Sequence, residues 1–258
     1  ALALVAAAFA IRAGERRRAT PARSARVIAW IVAVAVLGVA IVSFASGGRP
    51  PGARDVLPAT AAVLVDTGFA GSLDAHAGTY TVVAHAGTAI TAHLKAGGET
   101  FDARFDHDIT GEWQGDPHDP SQPMHARVRA AAAAVDTGVR ARTKHAREKY
   151  LRTDEYPALE LSIDRVLATR SDRPDVLAFR AAATVHLMDR SHPVEVAGTL
   201  ERPDAAARAR LGLAGDVLVV QADFALPIAA TALAPKAGDF DGDRIPIHAS
   251  LVLRRDRD

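Results

Sequence analysis

From about residue 75 onward the apolar residues recur at every second position, the period of a strand with one buried and one wet face. In residues 124–134, Met124, Ala126, Val128, Ala130, Ala132 and Ala134 share one face and His125, Arg127 and Arg129 the other, the alternation fading after Ala130. After Tyr156-Pro157, Leu159, Leu161 and Ile163 alternate with Glu160, Ser162 and Asp164. Leu177, Phe179, Ala181, Ala183, Val185 and Leu187 then point one way, and a turn over 189–192 leads into Val194, Val196, Gly198 and Leu200. Leu218, Val220, Ala222, Phe224 and Leu226 form another such row, and Ile245, Ile247, Ala249, Leu251 and Leu253 the last. Residues 79–83, 88–95 and 100–113 are less regular strand candidates. With turns at 116–120 and 240–243, the pattern predicts about eight or nine strands in a barrel or sandwich, and about eight strands can close around one small ligand.

Two segments break the period of two. Residues 139–151 (VRARTKHAREKYL) are helix-like and strongly basic, and residues 203–211 start with Pro203 and stop before Gly212, ordinary helix boundaries.

The N-terminal quarter has a different pattern. Residues 27–46 (VIAWIVAVAVLGVAIVSFAS) carry no charge and are long enough to cross a hydrocarbon core of ~30 Å at about 1.5 Å per residue. Arg12, Arg16, Arg17, Arg18, Arg23 and Arg26 precede the run against Glu15 alone, while only Arg49 and Arg54 closely follow it. This asymmetry predicts a transmembrane helix with its N-terminal side in the cytoplasm and the remainder extracytoplasmic. A cleaved signal peptide is the main alternative, although its apolar run is normally shorter. The expected organisation is an apolar segment and Arg-rich loop over 1–26, a membrane helix over 27–46, a Gly/Pro linker over 47–59, a barrel domain over 60–254 and a short tail over 255–258.

Composition narrows the chemistry. The 258 residues include no cysteine, which removes disulfides, thiolate nucleophiles and Cys-based metal sites. A formal net charge of +1 argues against a nucleic-acid partner. His76, His85, His93, His107, His118 and His125 crowd one half of the domain without metal-ligand spacing, so no metal is expected. His107 stands between Asp106 and Asp108, but on a strand it would point away from both. Asp239, Asp241 and Asp243 lack the closing Glu of a calcium loop and are expected to form a turn. No nucleophile elbow, phosphate loop or dinucleotide fingerprint is present, and neither catalysis nor a cofactor is expected.

Alanine is the informative inward residue. Ala130, Ala132, Ala181, Ala183, Ala222 and Ala249 lie on predicted inner faces with Val128, Leu159, Leu161, Phe179, Val196, Val220, Phe224 and Leu251. A small barrel is ordinarily filled by its own side chains, so this wall predicts a lumen lined by these fourteen positions. On the basic helix, Arg140, Lys144 and Arg147 share a face at i, i+4 and i+7 and are the expected rim contacts for a polar head group, the alternative being a solvated helix face that only closes the barrel end.

Several motifs occur in a telling order: Thr137-Gly138 at a strand end, Arg142 to His145 and Arg147 in a helical segment, Tyr150-Leu151, Tyr156-Pro157, and the hairpin turn 189–194 containing His192-Pro193-Val194. This arrangement resembles the YceI-like family of polyisoprenoid-binding proteins over roughly two thirds of the chain. Thr143 stands where the family often has Asp, Asp189 replaces a turn glycine, and Ala225-Leu226-Pro227 replaces a common Phe-Gly pairing. The resemblance implies an all-β, antiparallel lipocalin-like barrel with one or two short helices, holding a long-chain isoprenoid or similar amphiphilic lipid. Combined with residues 27–46, it implies a membrane-anchored extracytoplasmic binding protein; the alternative is a ligand-free structural or protein-interaction module of the cell envelope.

Overall fold

A computed structural model describes residues 68–255. The predicted membrane helix, the segments flanking it and the last three residues lie outside the described residues. Among those described, no helix is long and apolar enough to cross a membrane.

The strands are β1 (Gly78–Val82), β2 (Ala89–Ala96), β3 (Glu99–Phe105), β4 (Ile109–Gly115), β5 (His125–Ala131), β6 (Ala158–Arg173), β7 (Val176–Leu187), β8 (Arg190–Glu201), β9 (Val217–Pro227) and β10 (Arg244–Arg255). Neighbours run β1-β4-β5-β6-β7-β8-β9-β10, and β10 also pairs with β1, closing the ring. Every pairing is antiparallel. β1 and β2 lie successively along β10, at 253–255 and 247–250. They act as one interrupted strand, and β3 and β4 as a second. The described residues therefore form an eight-stranded up-and-down barrel, one of the two architectures the alternation predicts, with no free ladder along most of its wall.

The two interruptions have different causes. Between β1 and β2 the chain bulges out but remains pinned to β10. Val83 N–H donates to the Val252 carbonyl at 2.9 Å, and Val252 N–H donates to Thr88 Oγ1 at 3.2 Å. The expected single strand over 100–113 breaks at Asp106-His107-Asp108, where Asp108 takes a left-handed φ of 53°. Having left the ladder, His107 turns back to Asp106, Nδ1 lying 2.9 Å from Oδ1. The strand geometry that would have separated them does not hold at this turn. The contact raises the His107 pKa and lowers that of Asp106, the hydrogen bond between them being the largest cause of each shift. Both side chains are exposed, so the pair contributes little to stability.

β6 also departs from simple alternation. Register shifts at Ile163/Arg165, Val166/Ala168 and Arg170/Arg173 change which parity faces inward. Leu159, Leu161 and Ile163 face the interior, as do Val166 beyond the first shift and Thr169 beyond the second.

One end of the barrel is sealed. Leu73, fully buried, enters a cluster with Ala75, Tyr80, Trp113, Leu177, Leu200, Leu218 and Leu253. Tyr80 and Trp113 meet edge to face at 5.6 Å. The stopper segment is held by its backbone: Ala70 N–H donates to the Thr169 carbonyl, Thr169 N–H to the Gly68 carbonyl, and Leu73 N–H to the Pro117 carbonyl. Arg202 adds a 3.0 Å contact to the Asp74 carboxylate.

Helix α1 (Arg140–His145) runs into a wider π-type turn (Ala146–Leu151), and α2 is Ala205–Leu211. Asp204 caps α2 by accepting from Ala207 N–H at 2.6 Å, and Gly212 ends it in a left-handed conformation. The fading alternation after Ala130 marks the end of β5. Residues 132–134 form a single 3-10 turn, so Ala132 and Ala134 leave the strand face.

Within the wall, Gly198 is required by close approach. A Cβ there would lie 2.1 Å from the Gln221 carbonyl oxygen and 2.9 Å from the tip of the Phe179 ring, which covers this glycine from β7. Gly198→Ala is expected to lower stability by about 1–3 kcal/mol. Gly238→Ala, with nothing within 4 Å, should change it by less than about 0.5 kcal/mol. Urea unfolding of the two variants checks this; equal midpoints would contradict the packing.

Candidate functional site: an apolar lumen with a charged mouth

Above the Leu73 stopper the barrel is hollow, with a cavity of ≈ 750 Å³. Trp113, Leu177, Leu200 and Leu253 lie at its floor, where it meets the sealed end. Leu177 and Leu187 both line it. Ten residues of a strand at ~3.3 Å each, tilted by about 40°, make the lumen roughly 25 Å deep.

Small side chains create this space. Ala130, Ala181, Ala222 and Ala249 are buried yet border the void, beside Val128, Leu159, Leu161, Phe179, Val196, Val220, Phe224 and Leu251. Two expected lumen positions do not line it. Ala132 lies in the 3-10 turn, past the end of the alternating strand. Ala183 has the inward parity but is packed inside the core cluster, away from the cavity wall.

The less regular strands contribute a further wall. Ile90, Ala92 and Leu94 of β2 and Phe101, Ala103 and Phe105 of β3 line the cavity. These are two of the less regular strand candidates of the sequence, with His93, Lys95, Asp102 and Arg104 at the alternate positions.

The mouth is assembled from three elements: the β2–β3 turn, α1 with its following turn, and residues 228–243. Glu99 Oε2 accepts from Arg142 Nη2 at 2.6 Å, and Arg142 stacks over the Phe101 ring at 4.0 Å. Asp239 Oδ2 accepts from Lys149 Nζ at 3.1 Å and from the Tyr150 hydroxyl at 2.9 Å. Tyr150 meets Phe240 edge to face at 5.7 Å. Asp241 Oδ2 accepts from Gly98 N–H at 2.6 Å, completing the link back to the β2–β3 turn. The expected acidic turn over 239–243 therefore supplies two of the clasps. Lys149 is raised above the ordinary ammonium value, first by Asp239 and then by Tyr150; Asp239 is held below the ordinary carboxylate value by the same partners. Both remain charged through the neutral range. The contribution of Asp239 is present above its unfolded pKa and fades as pH falls through its lowered folded value.

The helix presents a different face to the lumen than its charge pattern predicts. Arg142, His145, Ala146 and Lys149 line the cavity, whereas Arg140, Lys144 and Arg147 do not. The two sets lie on opposite sides of a helical wheel. Ala146, Tyr150 and Leu151 pack against the core clusters and decide the rotation, leaving Arg140 and Lys144 exposed. Arg147 reaches back to the Val135 carbonyl at 3.0 Å, and its buried Nε has no partner. Thr143, where the resembling family often has Asp, is buried and receives Thr137 N–H at 3.0 Å while approaching Asp136 Oδ1 at 3.1 Å. It ties the helix start to the end of the preceding loop.

Outside the lumen, His248 meets Asp223 at 2.8 Å and Ser191 meets His186 at 2.8 Å, each across neighbouring strands. Among the described residues, no group of three or more metal-ligating side chains is placed to hold an ion.

Comparisons with known proteins agree with this architecture. A polyisoprenoid-binding domain from Saccharophagus degradans, implicated in plant cell wall breakdown, superposes with a TM-score of 0.50 at 12% identity, covering 70% of this chain and 100% of that one. BcnA of Burkholderia cenocepacia has a TM-score of 0.49 at 13% identity, covering 66% of this chain and 98% of that one. No curated protein sequence matches the chain. The YceI-like domain model matches residues 80–253, which span the closed barrel from β1 to β10 and enclose its lumen, and the chain belongs to the YceI-like family.

Proposed function

We propose that this protein binds a long-chain isoprenoid or similar amphiphilic lipid in its barrel. The observation that carries the reading is the ≈ 750 Å³ lumen, sealed at one end and lined by Ala130, Ala181, Ala222 and Ala249 among larger apolar residues. A void of this size falls in the range of ligand sites. Each buried methylene of a guest chain gains ~0.8 kcal/mol before ordering costs. The resemblance to a domain described as polyisoprenoid-binding supports the isoprenoid class. The proposed role is to shield the chain from water while the head stays at the open end.

We further propose that residues 27–46 anchor the protein in the cytoplasmic membrane, with the barrel on the extracytoplasmic side. The uncharged run and the arginines before it support this topology.

Organic extraction of the purified, folded protein followed by mass spectrometry is expected to release a prenyl lipid. A clean extract from protein that also fails to take up added prenyl lipid would favour the ligand-free envelope module. Ala181→Leu together with Ala222→Leu should reduce prenyl-lipid capacity while leaving the fold intact, because the added methylenes enter empty space. Ala183→Leu, placed in packed core, should instead cost about 1–3 kcal/mol. Ligand uptake and urea midpoints measured on the same variants separate the two effects. For the topology, protease added to intact spheroplasts should digest the barrel, and complete protection would refute the orientation.

A further inference from the structure

We infer that the lumen selects an amphiphile with an uncharged, hydrogen-bonding head, such as an alcohol, phenol or quinone, over one with a phosphate, pyrophosphate or carboxylate head. This rests on the reading of the barrel as a lipid carrier and adds the chemistry of the end that remains at the mouth.

The charges at the opening hold the mouth together. A site built for an anionic head presents unpaired cations or a convergent set of N–H donors. Here, both cations on the cavity wall already hold a carboxylate. Arg142 has Glu99 at 2.6 Å and Lys149 has Asp239 at 3.1 Å. Arg142 is also engaged by the Phe101 ring and Lys149 by that of Tyr150, at 4.0 and 5.0 Å. The remaining mouth carboxylate, Asp241, occupies the Gly98 N–H. Of the mouth groups that line the cavity, Arg142 and Lys149 against Glu99, Asp239 and Asp241 sum to a formal charge of minus one. An anionic head would meet three carboxylates and no free cation on the wall, and it would have to break a clasp to gain one.

The other cations near this ring do not line the cavity: Lys236 stands close to Asp239 but off the cavity wall. Arg140 and Lys144 are exposed on the opposite side of the helix, with Lys144 near Glu148 at 3.8 Å. Arg147 is turned toward Val135. What remains on the wall is His145, whose imidazole has no hydrogen-bond or ion-pair partner among the described residues and lies beside Ala146 at the opening. An imidazole nitrogen can hydrogen-bond a hydroxyl or carbonyl, which leaves the clasps closed around the chain.

Geranylgeraniol and geranylgeranyl phosphate share one apolar chain and differ only at the head, so they isolate this effect. With purified full-length protein in mild detergent and radiolabelled geranylgeraniol as the reporter, the alcohol is expected to bind about tenfold more tightly than the phosphate competes, the preference narrowing as salt screens the mouth. Glu99→Gln combined with Asp239→Asn frees both cations and should reduce the alcohol-to-phosphate affinity ratio to about one or below. Glu99→Gln alone should move the ratio the same way if the double variant does not fold. Phosphate binding equal to or tighter than alcohol in the unaltered protein would overturn the head-group inference while supporting the lipid reading. Failure of folded protein to bind either chain would overturn the lipid reading itself.

Discussion

An eight-stranded barrel closes at a diameter that ordinary apolar side chains just fill, so any hollow inside it must be made by shortening side chains. In this protein the shortening is done by alanine at inward positions of four strands: Ala130 on β5, Ala181 on β7, Ala222 on β9 and Ala249 on β10. Larger residues between them keep the strands apart and supply the apolar surface. Gly198 takes the same device further, because without a Cβ it lets β8 and β9 approach closely beneath the Phe179 ring. The lumen is therefore a property of the ladder itself, and the loops only decide which end is open.

The two ends are closed by different physics. Leu73 and its neighbours seal one end with a continuous apolar cluster, a closure that depends on burial and is insensitive to salt. The other end is held by Arg142–Glu99, Lys149–Asp239 and Gly98–Asp241, contacts between exposed groups that are individually weak. The clasped end can thus open without disturbing the packed end.

Strand content and inward parity were legible because alternation over five or more residues suits a half-buried strand and no helix, as in 177–187 and 245–253. Legibility failed where a local device broke the period. Asp108 with positive φ split one expected strand, the shifts in β6 moved the inward position from Ile163 to Val166, and the 3-10 turn removed Ala132 from the wall. The orientation of the basic helix was hidden for a different reason. Its charges suggested one functional face, but rotation was set by the few apolar side chains that pack, Ala146, Tyr150 and Leu151. Clasp partners such as Glu99 and Asp239 are far from the helix in sequence, and no local pattern could pair them. Residues 27–46, the expected membrane helix, lie outside the described residues.

The stopper also determines how the barrel bears load. Residues 68–75 join the barrel through the buried Leu73, a few backbone hydrogen bonds to Thr169 and Pro117, and the Arg202–Asp74 contact. The β1–β10 seam begins only after this segment. Tension applied at residue 68 would therefore load these few contacts before it reached the β1–β10 seam.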